Sequence, residues 1–126
     1  SLPIPEAQLD IFLKLNKLSK EMNAKLIISW TEYTPPNSRY QWLKNWAEEN
    51  EIEFADWHKK VDIIKKAIPD LPVHNPHSAV HYRSWVNYLI AQSFAESIAL
   101  NEHTTTGFSG REDARSAEAD TLRARQ

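Results

Sequence analysis

Residues 25–56, KLIISWTEYTPPNSRYQWLKNWAEENEIEFAD, contain the pattern that decides the fold. The apolar run at 25–30 is β-branched in its middle and predicts a buried strand, and the short stretch at 52–56 predicts a second strand. Between them, a proline-containing loop at 31–37 leads into a helix predicted for 38–50, whose apolar residues recur at helical spacing. Two strands joined by one helix over so short a distance predict a βαβ unit with parallel strands.

Three further helices are predicted outside this unit, because apolar residues recur there at intervals of three and four. They lie at 5–22, 57–68 and 82–99, and the segment 69–81 is predicted to be a loop. Asn23 is placed to adopt the left-handed conformation that ends the first helix. The apolar face that the first helix is expected to bury consists of Leu9, Phe12, Leu13, Leu15, Leu18 and Met22.

The chain is predicted to form one domain at 1–100 and a polar tail at 101–126, since 126 residues are too few for two independent cores. The fold class is α/β, with a parallel sheet flanked by helices. The tail has almost no large apolar side chains, so we expect it to be flexible. Two strands make a thin sheet with open edges. We expect a missing amino-terminal segment to complete this sheet; the alternatives are another chain, or coverage by the helices alone.

The composition argues against several classes of function. The chain contains no cysteine, which rules out disulfides, thiolate zinc sites and a cysteine nucleophile. A net charge of -2 gives no reason to expect nucleic acid as a partner, and no apolar window is long enough to span a membrane. The only two glycines, Gly107 and Gly110, lie far from any predicted strand, so we expect no phosphate-binding loop and no cofactor. The tryptophans are expected to fill the core.

Residues 70–83, DLPVHNPHSAVHYR, are the stretch that is richest in groups able to carry chemistry. A carboxylate beside a histidine fixes the tautomer of the imidazole and stabilises its cation, while the other ring nitrogen takes a proton from a nucleophile. Asp70, His74 and His77 are therefore the candidate catalytic residues. The alternative is that these histidines are ordinary, partly exposed loop residues.

A metal site is a second interpretation of the same stretch. His74, His77 and His81 are spaced by three and four, so in a helix they would face one way and bind zinc, with Asp70 as a fourth ligand. Pro76 disfavours helical geometry at the preceding residue and removes a backbone donor. We therefore expect no metal here and rank this interpretation below the catalytic one.

The order helix, apolar strand, proline-containing loop, helix, strand ending in aspartate, helix, and then Asp-x-x-x-His-Asn-Pro before a long helix resembles the carboxyl-terminal half of the SGNH (GDSL-type) hydrolases. The resemblance covers residues 5–99. It implies a partial flavodoxin-like sheet and two members of a Ser-His-Asp triad, Asp70 and His74. The family separates these two by two residues rather than three, and His77 is the alternative base.

The resemblance further implies hydrolysis of an ester, or acyl transfer, through a serine acyl-enzyme, with a small ester or an acylated carbohydrate as substrate. The family's nucleophile, in a Gly-Asp-Ser-like turn, has no counterpart in this chain, and Ser29 lacks the glycine-flanked turn of a nucleophile elbow. The serine is then expected on a missing amino-terminal segment, or the activity has been lost. The alternative function is a non-catalytic module that binds another chain through the open sheet edge and the last helix.

Overall fold

Four helices and two small two-stranded sheets make up the protein in a computed structural model, which describes residues 2–104 and the side chains of 2–99. The predicted tail at 101–126 lies outside the described residues from 105 onward. In chain order the elements are α1 (Glu6–Glu21), β1 (Ile27–Ile28), α2 (Ser38–Glu49), β2 (Glu53–Phe54), α3 (His58–Ala67), β3 (His74–Asn75), β4 (Ser78–Tyr82) and α4 (Ser84–Thr104).

The predicted βαβ unit is present, with α2 joining two parallel strands. Ile27 pairs with Glu53 and Ile28 with Phe54, and the backbone N–H of Ala55 donates to the carbonyl of Ile28 at 2.9 Å. Both strands are shorter than the sequence pattern suggested. This mixed architecture is compatible with the predicted α/β class.

The two helices before the parallel strands end in the same way. Asn23 and Glu51 both have positive φ, at 54° and 56°. In each case one cap residue separates this position from the last residue of the helix. The next backbone N–H then bonds five residues back, from Ala24 to Ser19 and from Ile52 to Ala47. These are Schellman-type endings, which turn the chain sharply into the strand that follows. The role predicted for Asn23 is thus confirmed.

The apolar side chains form two clusters. The first contains buried residues of α1, α2 and the parallel strands, and the second contains residues of α3, α4 and the segments beside them. Buried members of the first are Ile4, Leu9, Ile28, Leu43, Ala47 and Ile52. Buried members of the second are Tyr33, Trp57, Val61, Val73, Val86 and Leu89. The parallel pair contributes to the first cluster, and the loop that leaves β1 contributes to the second.

The prediction of which α1 side chains are buried is wrong for four of the six residues. Leu9 is buried and Phe12 is half-buried, as expected. The other four residues of the predicted face are exposed: Leu13, Leu15, Leu18 and Met22. The physical reason is that α1 is so rich in apolar residues that its periodicity fits two faces, and only packing against α2 and β1 selects one of them.

The segment 69–81, predicted to be a loop, contains the β3–β4 hairpin instead. His74 pairs with Tyr82 and Asn75 with Ser78, with an irregular register between the two pairs. This hairpin is attached to distant parts of the fold, which a local pattern does not reveal. Helix α4 starts at Ser84 and runs to Thr104, so it crosses the predicted boundary between domain and tail.

Candidate functional site

A row of stacked and tilted rings lies beside the loop that leaves β1. His58 stacks on Tyr40 with ring centroids 4.2 Å apart and an angle of 9° between planes, and it also contacts Trp57 at 4.2 Å. Trp57 meets Tyr82 edge-on at 5.3 Å, and Tyr82 contacts His74 at 5.1 Å. The row therefore connects the start of α2 with the hairpin, and it places His74 at its far end.

Asp56 lies at the other end of this row, where it is hydrogen-bonded to Tyr40. Its carboxylate accepts hydrogen bonds from the Tyr40 hydroxyl, from Lys44 Nζ at 2.6 Å and from the backbone N–H of Lys59 at 3.2 Å. Partial burial acts to raise the pKa of Asp56, but the bonds from Lys44, Tyr40 and Lys59 outweigh it and leave this pKa below its usual value. The bond to Lys59 caps the first turn of α3, which is the structural role expected of an aspartate at a strand-to-helix junction.

His58 is fully buried within the row. Its Nε2 lies 3.3 Å from the carbonyl oxygen of Trp30, which also accepts the indole N–H of Trp57 at 3.1 Å. Its Nδ1 has no hydrogen-bond partner among the described residues. Burial lowers the pKa of His58, so the ring is neutral near pH 7 and Nε2 carries the proton that Trp30 accepts. A neutral, enclosed imidazole fits a packing role better than a catalytic one.

His74 lines a cleft of about 470 Å³ just past the carboxyl end of β1. The imidazole is half-buried, and its main-chain carbonyl accepts a hydrogen bond from Arg83 Nε at 2.9 Å. The Tyr82 hydroxyl donates to the Thr31 carbonyl at 2.5 Å, which ties the hairpin to the loop that leaves β1. The cleft is lined by Thr31, Glu32, Tyr33, Thr34, His74, Ala79, Val80 and Tyr82. In open α/β sheets this edge is where ligands bind.

The other predicted site residues do not line the cleft that contains His74. Asp70 is exposed in the turn after α3, and His77 is exposed in the turn between β3 and β4. Within the part of the chain that the structure describes, no hydrogen bond or ion pair joins Asp70, His74 and His77. A catalytic role for these three residues stays a prediction, and of the three only His74 lines the cleft.

The metal interpretation has no support in the described part of the chain. No group of three or more histidine, aspartate and glutamate side chains between residues 2 and 99 is placed to hold a metal ion. His77 and His81 are exposed on a hairpin rather than on a helix, so their spacing does not direct them to one point. The helical geometry on which the alternative zinc site of Asp70, His74, His77 and His81 depended is absent from this segment, because a strand repeats every two residues and not every 3.6.

The serines near the strand ends do not face His74's cleft. The hydroxyl of Ser29 donates to the carbonyl of Ala55 at 2.7 Å, so this side chain links β1 to the end of β2. Ser38 is exposed at the start of α2 and lines a different cavity of about 340 Å³, together with Trp30 and Arg39. Neither serine is a lining residue of the cleft that contains His74.

Of the cleft-lining residues, sequence reasoning proposed only His74 as a site residue, and two of the others have a clear role in the cleft. Glu32 is the one carboxylate among the cleft-lining residues, and Tyr82 holds the cleft together from the hairpin side. The signal that could have found Glu32 is its position two residues after the apolar strand predicted at 25–30, in the loop where parallel sheets carry their ligand-binding groups. No local signal marks Tyr82, because its partner Thr31 lies 51 residues away.

Comparisons with known proteins leave the family undefined. No family model matches the chain, no curated protein matches it, and no solved structure matches it. None of the helices in residues 2–104 has the length and apolar character needed to cross a membrane. The fold itself defines the class of the protein as mixed α/β.

Proposed function

We propose that this chain contributes the general base of a hydrolytic site of the SGNH type, with His74 as that base. The observation that supports it is the position of His74 in a cleft past the carboxyl end of β1. An imidazole there can accept the proton of a nucleophile while a substrate occupies the cleft. We also propose that the parallel pair belongs to a larger flavodoxin-like sheet, since both of its edges are open among the described residues.

The chemistry requires a carboxylate to orient the imidazole. Asp70 is the carboxylate that the sequence resemblance implies, and it precedes His74 by four residues. Glu32 is the carboxylate that lines the same cleft. An orienting acid bonds one ring nitrogen and leaves the other to take the proton from the nucleophile, so only one of these two residues is needed. His77, exposed at the tip of the hairpin, is the reserve base.

The proposed reaction is acyl transfer from a small ester or an acylated carbohydrate. A serine oxygen attacks the ester carbonyl, His74 takes the serine proton and passes it to the leaving alcohol, and water then releases the acyl group. The serine is proposed to lie on the segment or chain that completes the sheet. The residues of this chain would orient the ester in the cleft and manage the proton.

The proposal can be tested on the full chain with p-nitrophenyl acetate, because an activated aryl ester reacts with an accessible, oriented imidazole even without a serine. We expect release of p-nitrophenolate above the buffer rate. His74→Gln should remove about 99% or more of this excess, which corresponds to the lower end, roughly a hundredfold, of the usual contribution of a general base. Asp70→Asn and Glu32→Gln then identify the orienting carboxylate, since only one of them should reduce the rate.

The control is His81→Gln, which removes an exposed imidazole of the same hairpin that does not line the cleft. We expect it to leave the rate unchanged. Equal losses in the His74 and His81 variants would mean that any surface imidazole accounts for the turnover, and the hydrolytic proposal would be abandoned. A His77→Gln variant that alone loses the excess would move the base to the hairpin tip.

A second candidate function, binding of another polypeptide without catalysis, is favoured by the outward face of α4. Tyr88 and Ile98 are exposed large apolar residues of this helix, and the alanines at 91 and 95 between them are also exposed. Such a face of small and apolar residues allows close approach of another chain. The ester assay separates the two functions, because a binding module gives no turnover that depends on His74.

A further inference from the structure

Helix α1 carries two stripes of side chains with an unexpected division of polarity. The stripe that packs inward contains two polar residues and comprises Leu9, Phe12, Asn16 and Ser19, all buried or half-buried. The neighbouring stripe is wholly apolar and exposed: Ile11 is 55% exposed, Leu15 42%, Leu18 50% and Met22, at the helix end, 70%. A helix whose more apolar stripe faces outward has an unpartnered surface.

The spacing of this outward stripe is that of a helix–helix seam. Its four residues follow one another at intervals of four, three and four, which is the alternation of the a and d positions in a coiled coil. The stripe is straight and about 17 Å long, from the rise of 1.5 Å per residue. Its shape therefore fits one more helix lying along α1.

The charges beside the stripe select the orientation of that helix. Lys14 and Glu21 are exposed and occupy the same flank of the stripe, seven residues apart. If a second α1 lies antiparallel, with Leu15 opposite the partner's Leu18, Lys14 comes within about 3 Å along the axis of the partner's Glu21. The symmetry of the pair repeats this contact, so two oppositely charged pairs form. A parallel pair would place Lys14 beside Ser19 instead.

The same surface is a poor match for the carboxyl-terminal part of this chain. Residues 105–126 contain two large apolar side chains, Phe108 and Leu122, which are too few to cover four exposed apolar residues. The self-complementary charges of α1, by contrast, are what a two-fold symmetric interface requires, because each surface must match itself.

We propose that α1 binds a second copy of this chain as an antiparallel helix pair, through Ile11, Leu15, Leu18 and Met22. This proposal does not depend on the hydrolytic function, since no residue of the stripe lines the cleft that contains His74. The interface joins two copies along their α1 helices and leaves that cleft open in each.

The test is the mass of the full chain in solution, measured by sedimentation equilibrium. At about 100 μM we expect twice the 14.6 kDa of one chain, because a micromolar interface is mostly occupied there. Leu18→Glu should raise the dissociation constant by roughly a hundredfold, since the change is made twice in a symmetric pair. Leu13→Glu is the matched control: Leu13 is also exposed on α1 but lies off the stripe, so the dimer should persist.

The orientation is tested by exchanging charges. Lys14→Glu should weaken the antiparallel pair by about tenfold, and the double variant Lys14→Glu/Glu21→Lys should restore it, because the opposite charges then meet again in reversed order. Circular dichroism confirms that each variant is folded. A wild-type chain that is monomeric at this concentration would overturn the proposal. So would a Leu18→Glu variant that stays dimeric, or a double variant that fails to recover.

Discussion

The half of the molecule built by α1, α2 and the parallel strands differs in kind from the half built by α3, α4 and the hairpin. In the first, the buried side chains of the apolar cluster are all aliphatic, Leu43 and Ile52 among them, and half-buried aromatic rings pack around them; its two helices end in the same way. The second is held by aromatic side chains that also donate hydrogen bonds to distant carbonyls. These bonds run from Trp57 to Trp30, from Tyr82 to Thr31 and from Trp85 to Pro72.

The difference has a consequence for the candidate site. Aliphatic packing is tolerant of direction, whereas an indole or phenol that fills space and donates one bond fixes the orientation of its neighbours. His74 lies at the end of the aromatic row, so its position depends on the second half. The first half, called the aliphatic half for the buried side chains of its cluster, supplies the parallel strand edge. The second, called the aromatic half for its hydrogen-bonding rings, orients the imidazole.

The largest expected effect comes from removing one large side chain from each half. Trp57→Ala should lower the free energy of unfolding by about 3–5 kcal/mol, and Leu43→Ala by about 2–5 kcal/mol, because both side chains are almost completely buried. Urea unfolding measures both values. The comparison is sharpened by the NMR shifts of His74, which should move in the Trp57 variant and stay in the Leu43 variant. Equal movement in both would mean that the halves are not separate supports.

The next largest effect is a pH dependence of the free energy of unfolding, which we expect His58 in the aromatic half to cause. Burial lowers the pKa of His58 below its ordinary value of 6.5 in the folded chain. Above pH 6.5 the His58 ring is neutral in both the folded and the unfolded chain, so its contribution to the free energy of unfolding is complete. As the pH falls below that, the unfolded chain takes up the proton first, so stability is lost at up to about 1.4 kcal/mol per pH unit until the folded pKa is reached.

Urea unfolding between pH 8 and pH 5 checks this dependence. His58→Gln should flatten the part of the profile that His58 causes, since glutamine does not titrate in this range. His81→Gln is the matched substitution at an exposed histidine outside the ring contacts of His58. A profile that is flat in the wild-type chain would show that protonation of His58 costs the fold nothing.

The smallest expected effect concerns the exposed ion pair between α3 and α4. Lys60 Nζ lies 2.8 Å from Glu96 and 3.1 Å from the amide oxygen of Gln92, and the Glu96 side chain is more than half exposed. A double-mutant cycle with Lys60→Ala and Glu96→Ala should give a coupling of about 0.2–1 kcal/mol, and high salt should reduce it. A coupling of several kcal/mol would mean that the aromatic half relies on charge as well.

The sequence predicted the fold best in segments whose structure depends on residues close together in the chain. The strand, helix and strand at 25–56 and the left-handed residue Asn23 follow from periodicity and helix-ending rules that act within a few residues. The hairpin was missed because β3 has two residues and because the run from Pro72 to His77 reads as a loop. Its attachment depends on Tyr82 and Thr31, which a short sequence window does not join.

The candidate site was predictable in part. The pattern at 70–83 predicted His74 as a site residue, and His74 does line a cleft. The same pattern also predicted Asp70 and His77, which are exposed in turns. Sequence spacing places groups near one another along the chain without deciding which way a turn directs them. Glu32 lines the cleft but lies in a distant part of the sequence, and only the fold brings it close to the hairpin.

By itself, the amino-acid sequence determined the helices, the parallel pair and the α/β class, because periodicity and chain-reversing residues act over short distances. The tertiary structure alone decided which stripe of α1 faces outward, how the aromatic row runs from Tyr40 to His74, and which residues share the cleft. Those features depend on contacts between distant residues, such as Tyr40 with His58, Trp57 with Tyr82 and Tyr82 with Thr31. Local preferences do not encode such contacts, since they form only when the whole core packs.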